Sequence, residues 1–356
     1  MVKLFNLDLH IAVISDVKRI LTDIYKDQIE IVDWSISGHS WLCDRKPEIV
    51  DIINQHTWTK INDQMIQEFV DKYHTFLSQF DGFIVTHSPV FCLLYESFGK
   101  PILLINSCRY EQPFSWDPNN NLEMWDKLNH KLERMWNTNQ LIAISNNKAD
   151  YEYLKLGTGI ESTIIPILCL YTNAHYSPTS DKFVISSNHT LQETPKVVNK
   201  KNFVTENYKW SDLYKCRGII HLPYEISTMS IFEQYSACVP LFFPSKELLK
   251  KIIVENNYPM QCRYNRIWNT NCKYHPKLDI ALNDKTWIDF WIDRADYYDP
   301  EILKHVTYYN SIAEIYNIVE NIDTEKISTQ MIAHNIIRKE TIYRQWQVII
   351  DKVYFV

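Results

Sequence analysis

The stretch that decides the reading of this chain is Gly218-Ile-Ile-His-Leu-Pro-Tyr-Glu-Ile-Ser-Thr-Met-Ser-Ile-Phe-Glu-Gln-Tyr-Ser-Ala-Cys-Val-Pro-Leu-Phe-Phe-Pro-Ser245. An apolar run opens it, and a turn carrying Glu225 follows. An apolar-periodic segment carrying Glu233 comes next, and Val239-Pro240 leads into a second apolar run. The order reads as buried strand, turn, helix, buried strand. Turns at the carboxyl ends of strands are where open α/β sheets bind ligands. Ser227 or Thr228 is placed to cap the helix, because a side-chain oxygen there accepts from an otherwise orphan amide. The helix start then offers free N–H groups and a positive dipole end to an anion. Glutamates near a helix start also serve as caps and solvated faces. The flanking strands and the Val-Pro entry distinguish this stretch from that ordinary use.

Glu225, Glu233 and the seven residues between them resemble the Glu-x7-Glu segment of retaining, nucleotide-sugar-dependent glycosyltransferases of the GT-B fold. The resemblance implies an α/β chain of GT-B-like architecture, with two doubly wound, Rossmann-like parallel-sheet domains facing across a cleft. It implies that Glu225 binds donor-sugar hydroxyls and Glu233 the ribose hydroxyls. Carboxylates suit both tasks, since each ionised group accepts two or more hydrogen bonds from a diol. Ser227, Thr228 and Met229 stand where that family has a flexible glycine turn, and Cys238 stands where it has the glycine before Val-Pro. A side chain keeps the backbone further from a phosphate than glycine would.

Outward from this stretch, short apolar runs alternate with amphipathic segments. Strands are expected at residues 9–15, 29–34, 82–86, 101–106, 141–145 and 162–167, with helices at 16–25, 62–78, 91–98, 122–136 and up to 156. A second alternating series has strands at 183–187, 202–205, 218–222, 239–244 and 306–309, and a helix at 311–322. Such alternation predicts parallel sheets. The polar segment 168–181 reads as a linker. Residues 255–300 read as an irregular insertion with a short helix at 287–295. The expected division is therefore 1–170 on the acceptor side, 181–330 on the nucleotide-sugar side, and a terminal helix at 331–356 packing back on the first domain. Residues 142–150 also resemble the end of a GT-B N-terminal domain. The richness in Asn, Ile and Lys resembles a glycosyltransferase of a large DNA virus.

Composition narrows the alternatives. The chain has 356 residues, 46% of them hydrophobic, and a formal net charge of −6. That is ordinary globular composition long enough for two domains. A protein gripping nucleic acid by its phosphates normally shows a basic patch, so nucleic acid, including a DNA-base acceptor, is not the expected partner. The eight cysteines contain no Cys-x-x-Cys pair, which argues against zinc and redox dithiols. Buried free thiols point to a reducing compartment such as the cytoplasm. No apolar run reaches the length of a membrane span. Six glycines and no Gly-x-Gly-x-x-Gly or Walker loop remove the usual dehydrogenase and NTPase readings.

Further candidates lie in loops after expected strands. In the first half these are Ser15 and Asp16, residues 37–41, His87 and Ser88, Arg109 to Glu111, and residues 146–148. Glu111 or His87 is suited to act as base or to hold an acceptor hydroxyl, and Arg109 to neutralise a diphosphate. The competing structural readings are a local Arg109–Glu111 ion pair and a loop histidine bonded to backbone. In the second half Asn188 follows a strand. The resembled family leads from that loop to an Arg and a Lys that stabilise the leaving diphosphate; here Lys196 is the nearby cation. The resemblance implies no catalytic metal and no cofactor beyond a nucleotide diphosphate sugar as donor, with a glycan, protein or small molecule as acceptor. A catalytically inactive module that binds a glycan or nucleotide sugar is the alternative.

Overall fold

The computed structural model describes the chain except residues 44, 115–117, 187–190, 256–284 and 356. Among the described residues, Met1–Pro166 and Tyr343–Val356 form one compact unit, and residues 167–255 and 285–342 form another.

The first unit is built on strands β1 (Val2–Asp8), β2 (Ile29–Ser35), β3 (Gly82–His87), β4 (Ile102–Asn106), β5 (Leu141–Ser145) and β6 (Thr163–Ile164). Their order is β2-β1-β3-β4-β5-β6, every pairing parallel. All five residues of β4 are buried, as are the first five of β3. Parallel sheets demand cover on both faces, and continuous apolar strands follow from that. The helix Asp63–Leu77 starts on Asn62, whose side chain accepts from the Met65 amide, and Lys148–Thr158 starts on Asn147 in the same way. The end of the last helix, Thr324–Tyr354, is fastened within this unit. Tyr25 donates to Asp351, Tyr343 donates to Asp23, and the Tyr354 hydroxyl lies where a Cβ on Gly82 would stand.

The second unit is built on β7 (Phe183–Ile185), β8 (Val197–Asn199), β9 (Gly218–Ile220), β10 (Leu241–Pro244) and β11 (Thr307–Tyr309). Their order is β11-β10-β9-β7-β8, again all parallel. β3 and β9 thus belong to separate sheets, and the architecture is two Rossmann-like α/β units. Phe183, Ile185, Val197, Ile220, Phe242 and Tyr309 form the core of the second, covered by Ile315 and Val319 of the helix Ile312–Asn321. Gly218 is required by this packing, since a Cβ there would stand 2.7 Å from the Phe242 ring.

Three expected elements differ. Residues 9–15 are no strand: β1 ends at Asp8, and Ile11–Tyr25 is a helix burying Ile11, Ile14, Val17, Ile20 and Leu21. A short β-branched run fits either period, and length decides between them. Ser15 and Asp16 therefore sit within a helix and not in a loop after a strand. Residues 202–205 give way to β8 at Val197–Asn199 followed by the short helix Lys200–Phe203. Residues 91–98 are two 3-10 turns, Pro89–Leu94 and Glu96–Phe98. Most of the expected irregular insertion lies outside the described residues, and its short helix spans Lys285–Ile292.

Candidate functional site

In the second sheet the chain passes from β7 to β8 on one side, then crosses to β9 on the other side of β7. The carboxyl ends of β7 and β9 are therefore the switch point, where an open α/β sheet leaves a crevice. A cavity of about 150 Å³ lies there. Ser186 after β7, His221 and Glu225 after β9, and Lys200 after β8 line it, with Thr228 and Ser230 at the start of the helix Met229–Ser236. Drug-sized ligand sites measure about 300–1,000 Å³, so this cavity takes one portion of a larger ligand.

Each lining group has a local reason for its place. Glu225 Oε1 accepts from the Ile226 amide at 3.2 Å, which turns its carboxylate back over the turn. Thr228 holds the N-cap position with extended backbone but makes no side-chain capping bond; its hydroxyl lies 3.2 Å from Ser230 Oγ instead. The first amides of a helix lack intrahelical acceptors; here the Ile231 amide donates to the Thr228 carbonyl at 3.2 Å, and no side chain caps those of Met229 and Ser230. Lys200 opens the short helix after β8, with Nζ 4.5 Å from the centre of the Tyr208 ring. Lys196 sits at the other end of β8 and pairs with Glu320. The cation at the carboxyl edge is thus Lys200, which the sequence reading did not single out.

His221 forms the cavity floor. Its Nδ1 is 3.1 Å from Ser186 Oγ and its Nε2 2.8 Å from Gln234 Oε1. The ring stacks on Phe243 with centroids 4.8 Å apart. Burial lowers its pKa to about 4, outweighing the hydrogen bond to Gln234, so the imidazole is neutral at neutral pH.

The remaining expected residues of this unit lie outside the cavity lining. Ser227 and Met229 flank Thr228 without lining it. Glu233 is 9% exposed and accepts from the Tyr171 hydroxyl and, at 3.0 Å, from Trp210 Nε1. Burial raises its pKa above the ordinary value despite those two bonds. Asn188 lies outside the described residues.

The other expected residues belong to the first unit. His87 ends β3 with a left-handed backbone, φ 65°. Burial, then the neighbouring His10 and Arg109, lower its pKa to about 3. Its carbonyl accepts from Cys108 Sγ at 2.7 Å. Glu111 is buried, where it raises the pKa of the Tyr153 hydroxyl alongside the larger effect of burial. Arg109 Nε and Nη2 lie 3.2 and 3.1 Å from the Gln112 side chain once its amide is turned to accept. The carboxyl end of the first sheet carries two further groups. Asp8 ends β1 and is fully buried, and His10 has its ring centre 5.4 Å from that of His87.

No group of His, Cys, Asp and Glu suited to a metal ion occurs among the described residues. No described helix is long and apolar enough to cross a membrane.

No family model matches the chain, and no curated protein matches it significantly. Among solved structures, HepE of Anabaena in complex with UDP and glucose is similar at 10% identity. It covers 99% of this chain and 100% of that one, with a TM-score of 0.45. The glycosyltransferase SnogD of Streptomyces nogalater is 8% identical, covering 98% and 99%, with a TM-score of 0.43. A UDP-N-acetylglucosamine 2-epimerase of Rickettsia bellii is 12% identical over the full length of both chains, with a TM-score of 0.37. At these scores the architecture rests on the strand order of the chain itself.

Proposed function

We propose that the chain is a GT-B glycosyltransferase that takes a hexose from a nucleotide diphosphate sugar without a metal and with retention. The observation that carries this is the cavity at the β7/β9 switch point, lined by Glu225, Lys200 and the start of a helix that has no side-chain cap. Its size suits the hexose–phosphate portion of a donor. Glu225 holds hexose hydroxyls as an acceptor of two or more hydrogen bonds. Lys200 and the amides of Met229 and Ser230 stabilise the diphosphate as negative charge develops on it. Thr228 and Ser230 add hydroxyl donors, and Ser227 and Met229 shape the turn. In this reading Glu233 keeps the Tyr171 and Trp210 rings in place, and a ribose hydroxyl replaces the Tyr171 hydroxyl when donor binds. Asn188, Arg109, His87 and Glu111 remain candidates for donor and acceptor contacts, the last two as bases. The acceptor is a glycan, a protein or a small molecule.

A binding module without turnover is the second reading. The turn favours it, because Ser227, Thr228 and Met229 put side chains where a glycine turn would let backbone approach the phosphates. One pair of measurements separates the two. Millimolar UDP and UDP-glucose should each raise the melting temperature, since a ligand of the native state stabilises by mass action. Slow release of glucose from UDP-glucose without acceptor marks an enzyme; stabilisation without release marks the module. A panel of nucleoside diphosphates and their sugars with no thermal shift would reject both.

A further inference from the structure

The donor reading gives His221 no task, yet its side chain is held on several sides. Its ring lies between two hydrogen-bond partners and on the Phe243 face. Phe243 in turn stacks on Tyr297 at 4.9 Å, and the His221 carbonyl accepts from Tyr309 at 2.7 Å. Neither ring rotation nor backbone shift is open to it without breaking several of these contacts.

We infer that Gln234 and His221 act as positioning residues that make Ser186 a pure hydrogen-bond acceptor toward the cavity, so that this wall reads a ligand hydroxyl and rejects phosphate. The argument follows the protons. Gln234 faces the ring with its amide oxygen, which only accepts. The single proton of a neutral imidazole therefore sits on Nε2. Nδ1 is then a bare lone pair, and the Ser186 hydroxyl donates to it. Ser186 has no second proton, so it offers lone pairs alone to whatever enters. Burial keeps the ring from taking the second proton that would reverse this order. A hydroxyl can donate to such an oxygen; an ionised phosphate cannot. Lys200 on the same cavity only donates. The cavity is thus polarised, with hydroxyls directed to Ser186 and Glu225 and the anion to Lys200. The relay stands on the geometry alone; the ligand class, a hexose joined to a phosphate, rests on the donor reading.

Two measurements test it. Nitrogen-15 NMR of the unliganded full chain should show His221 neutral and protonated on Nε2 at pH 7. A proton on Nδ1, or an imidazolium, overturns the relay whatever the protein binds. The second compares UDP-glucose with inorganic pyrophosphate as probes. Gln234→Met removes the acceptor, lets the ring proton move to Nδ1, and turns the Ser186 hydroxyl into the cavity. The affinity ratio of UDP-glucose to pyrophosphate should then fall by about tenfold, the worth of one hydrogen bond. Ser186→Ala removes the accepting oxygen itself and should lower the ratio to a similar extent. An equal loss for both probes in Gln234→Met, or an unchanged ratio in Ser186→Ala, overturns the inference. If wild type binds neither probe, the donor reading fails and the proton position still decides the relay.

Discussion

At the carboxyl ends of β7 and β9, Ser186, His221 and Gln234 are joined in series beside a cavity; at the matching place in the first sheet, Asp8 ends β1 and His10 lies against His87, with valences of Asp8 and His10 unfilled. The topology is the same, because β1 stands between β2 and β3 as β7 stands between β8 and β9. The chemistry is opposite. Neither Asp8 oxygen has a hydrogen-bond partner among the described residues, nor does His10 Nδ1. Ser35 and the His10 amide lie near enough to favour the Asp8 charge, but burial outweighs them and raises the pKa to about 7. A switch point supplies a location; the satisfaction of its polar groups determines whether the location is preorganised or strained. A buried carboxylate without partners costs stability once it ionises.

The largest effect that tests this contrast is at Asp8. Its carboxyl titrates near 7 when folded and at an ordinary 3.8 when unfolded. Between those values the native state keeps a proton that the unfolded state has lost. Stability is therefore lost as pH rises through this window, by about 4 kcal/mol at most. Asp8→Asn cannot ionise. Urea unfolding should show it within about 1 kcal/mol of wild type at pH 4 and more stable by about 2–4 kcal/mol at pH 8. A difference that does not change between the two pH values would mean that Asp8 finds partners on folding.

Next in size is Glu225, which tests whether the second switch point is a site at all. Glu225→Gln keeps shape and loses charge. Turnover of UDP-glucose should fall roughly tenfold to a hundredfold, as expected for hydrogen bonds to a charged group. Affinity for UDP should hardly change, because UDP has no hexose to contact. Equal loss of both would move Glu225 onto the nucleotide or into the fold, and no loss of either would leave the two carboxylates as helix-end residues.

Lys200→Met should have a smaller effect and the reverse pattern. Losing a cation beside the diphosphate should weaken UDP about tenfold and leave uridine, which has no phosphate, unchanged. The loss should shrink in high salt, since screening weakens exposed charge pairs. An unchanged UDP affinity would assign the anion to another group.

Lys200 also shows where sequence reading stops. Alternation of short apolar runs made two parallel sheets legible, and Glu225 stood out because its turn lies between a strand and a helix. The cation did not stand out. With a strand expected at residues 202–205, Lys196 is the lysine near the turn and Lys200 falls before the strand. With β8 at Val197–Asn199, Lys196 moves to the amino end and Lys200 to the carboxyl end. A shift of a few residues in a three-residue strand exchanges the two. The first switch point was lost in the same way, since the run at Ile11–Ile14 reads as a strand when its helical face is not recognised, and Asp8 then opens a strand instead of closing one. Ser186 and His221 are 35 positions apart. Their pairing depends on β7 lying beside β9, which no local pattern encodes. Glu233 was visible as a carboxylate on a helix, but its partners Tyr171 and Trp210 come from segments with no fixed spacing to it.

The smallest effect concerns the backbone of the two regions. Each carries a non-glycine residue in the left-handed region, His87 with φ 65° and Cys238 with φ 62°. Cys238 stands just before the run into β10, where the resembled family has glycine, and the backbone takes the shape that glycine adopts freely. A non-glycine residue there costs roughly 1 kcal/mol or more. The thiol offsets part of that cost, because it is buried and accepts from Asn335 Nδ2 at 3.3 Å. Cys238→Gly relieves the backbone and loses the sulfur, so the unfolding free energy should change by less than about 1 kcal/mol. Cys238→Ala keeps the strain and also loses the sulfur, so it should be the least stable of the three, by about 1 kcal/mol. Urea midpoints placing alanine level with glycine would show that the left-handed turn costs nothing here. The second switch point would then differ from the first in its side chains alone.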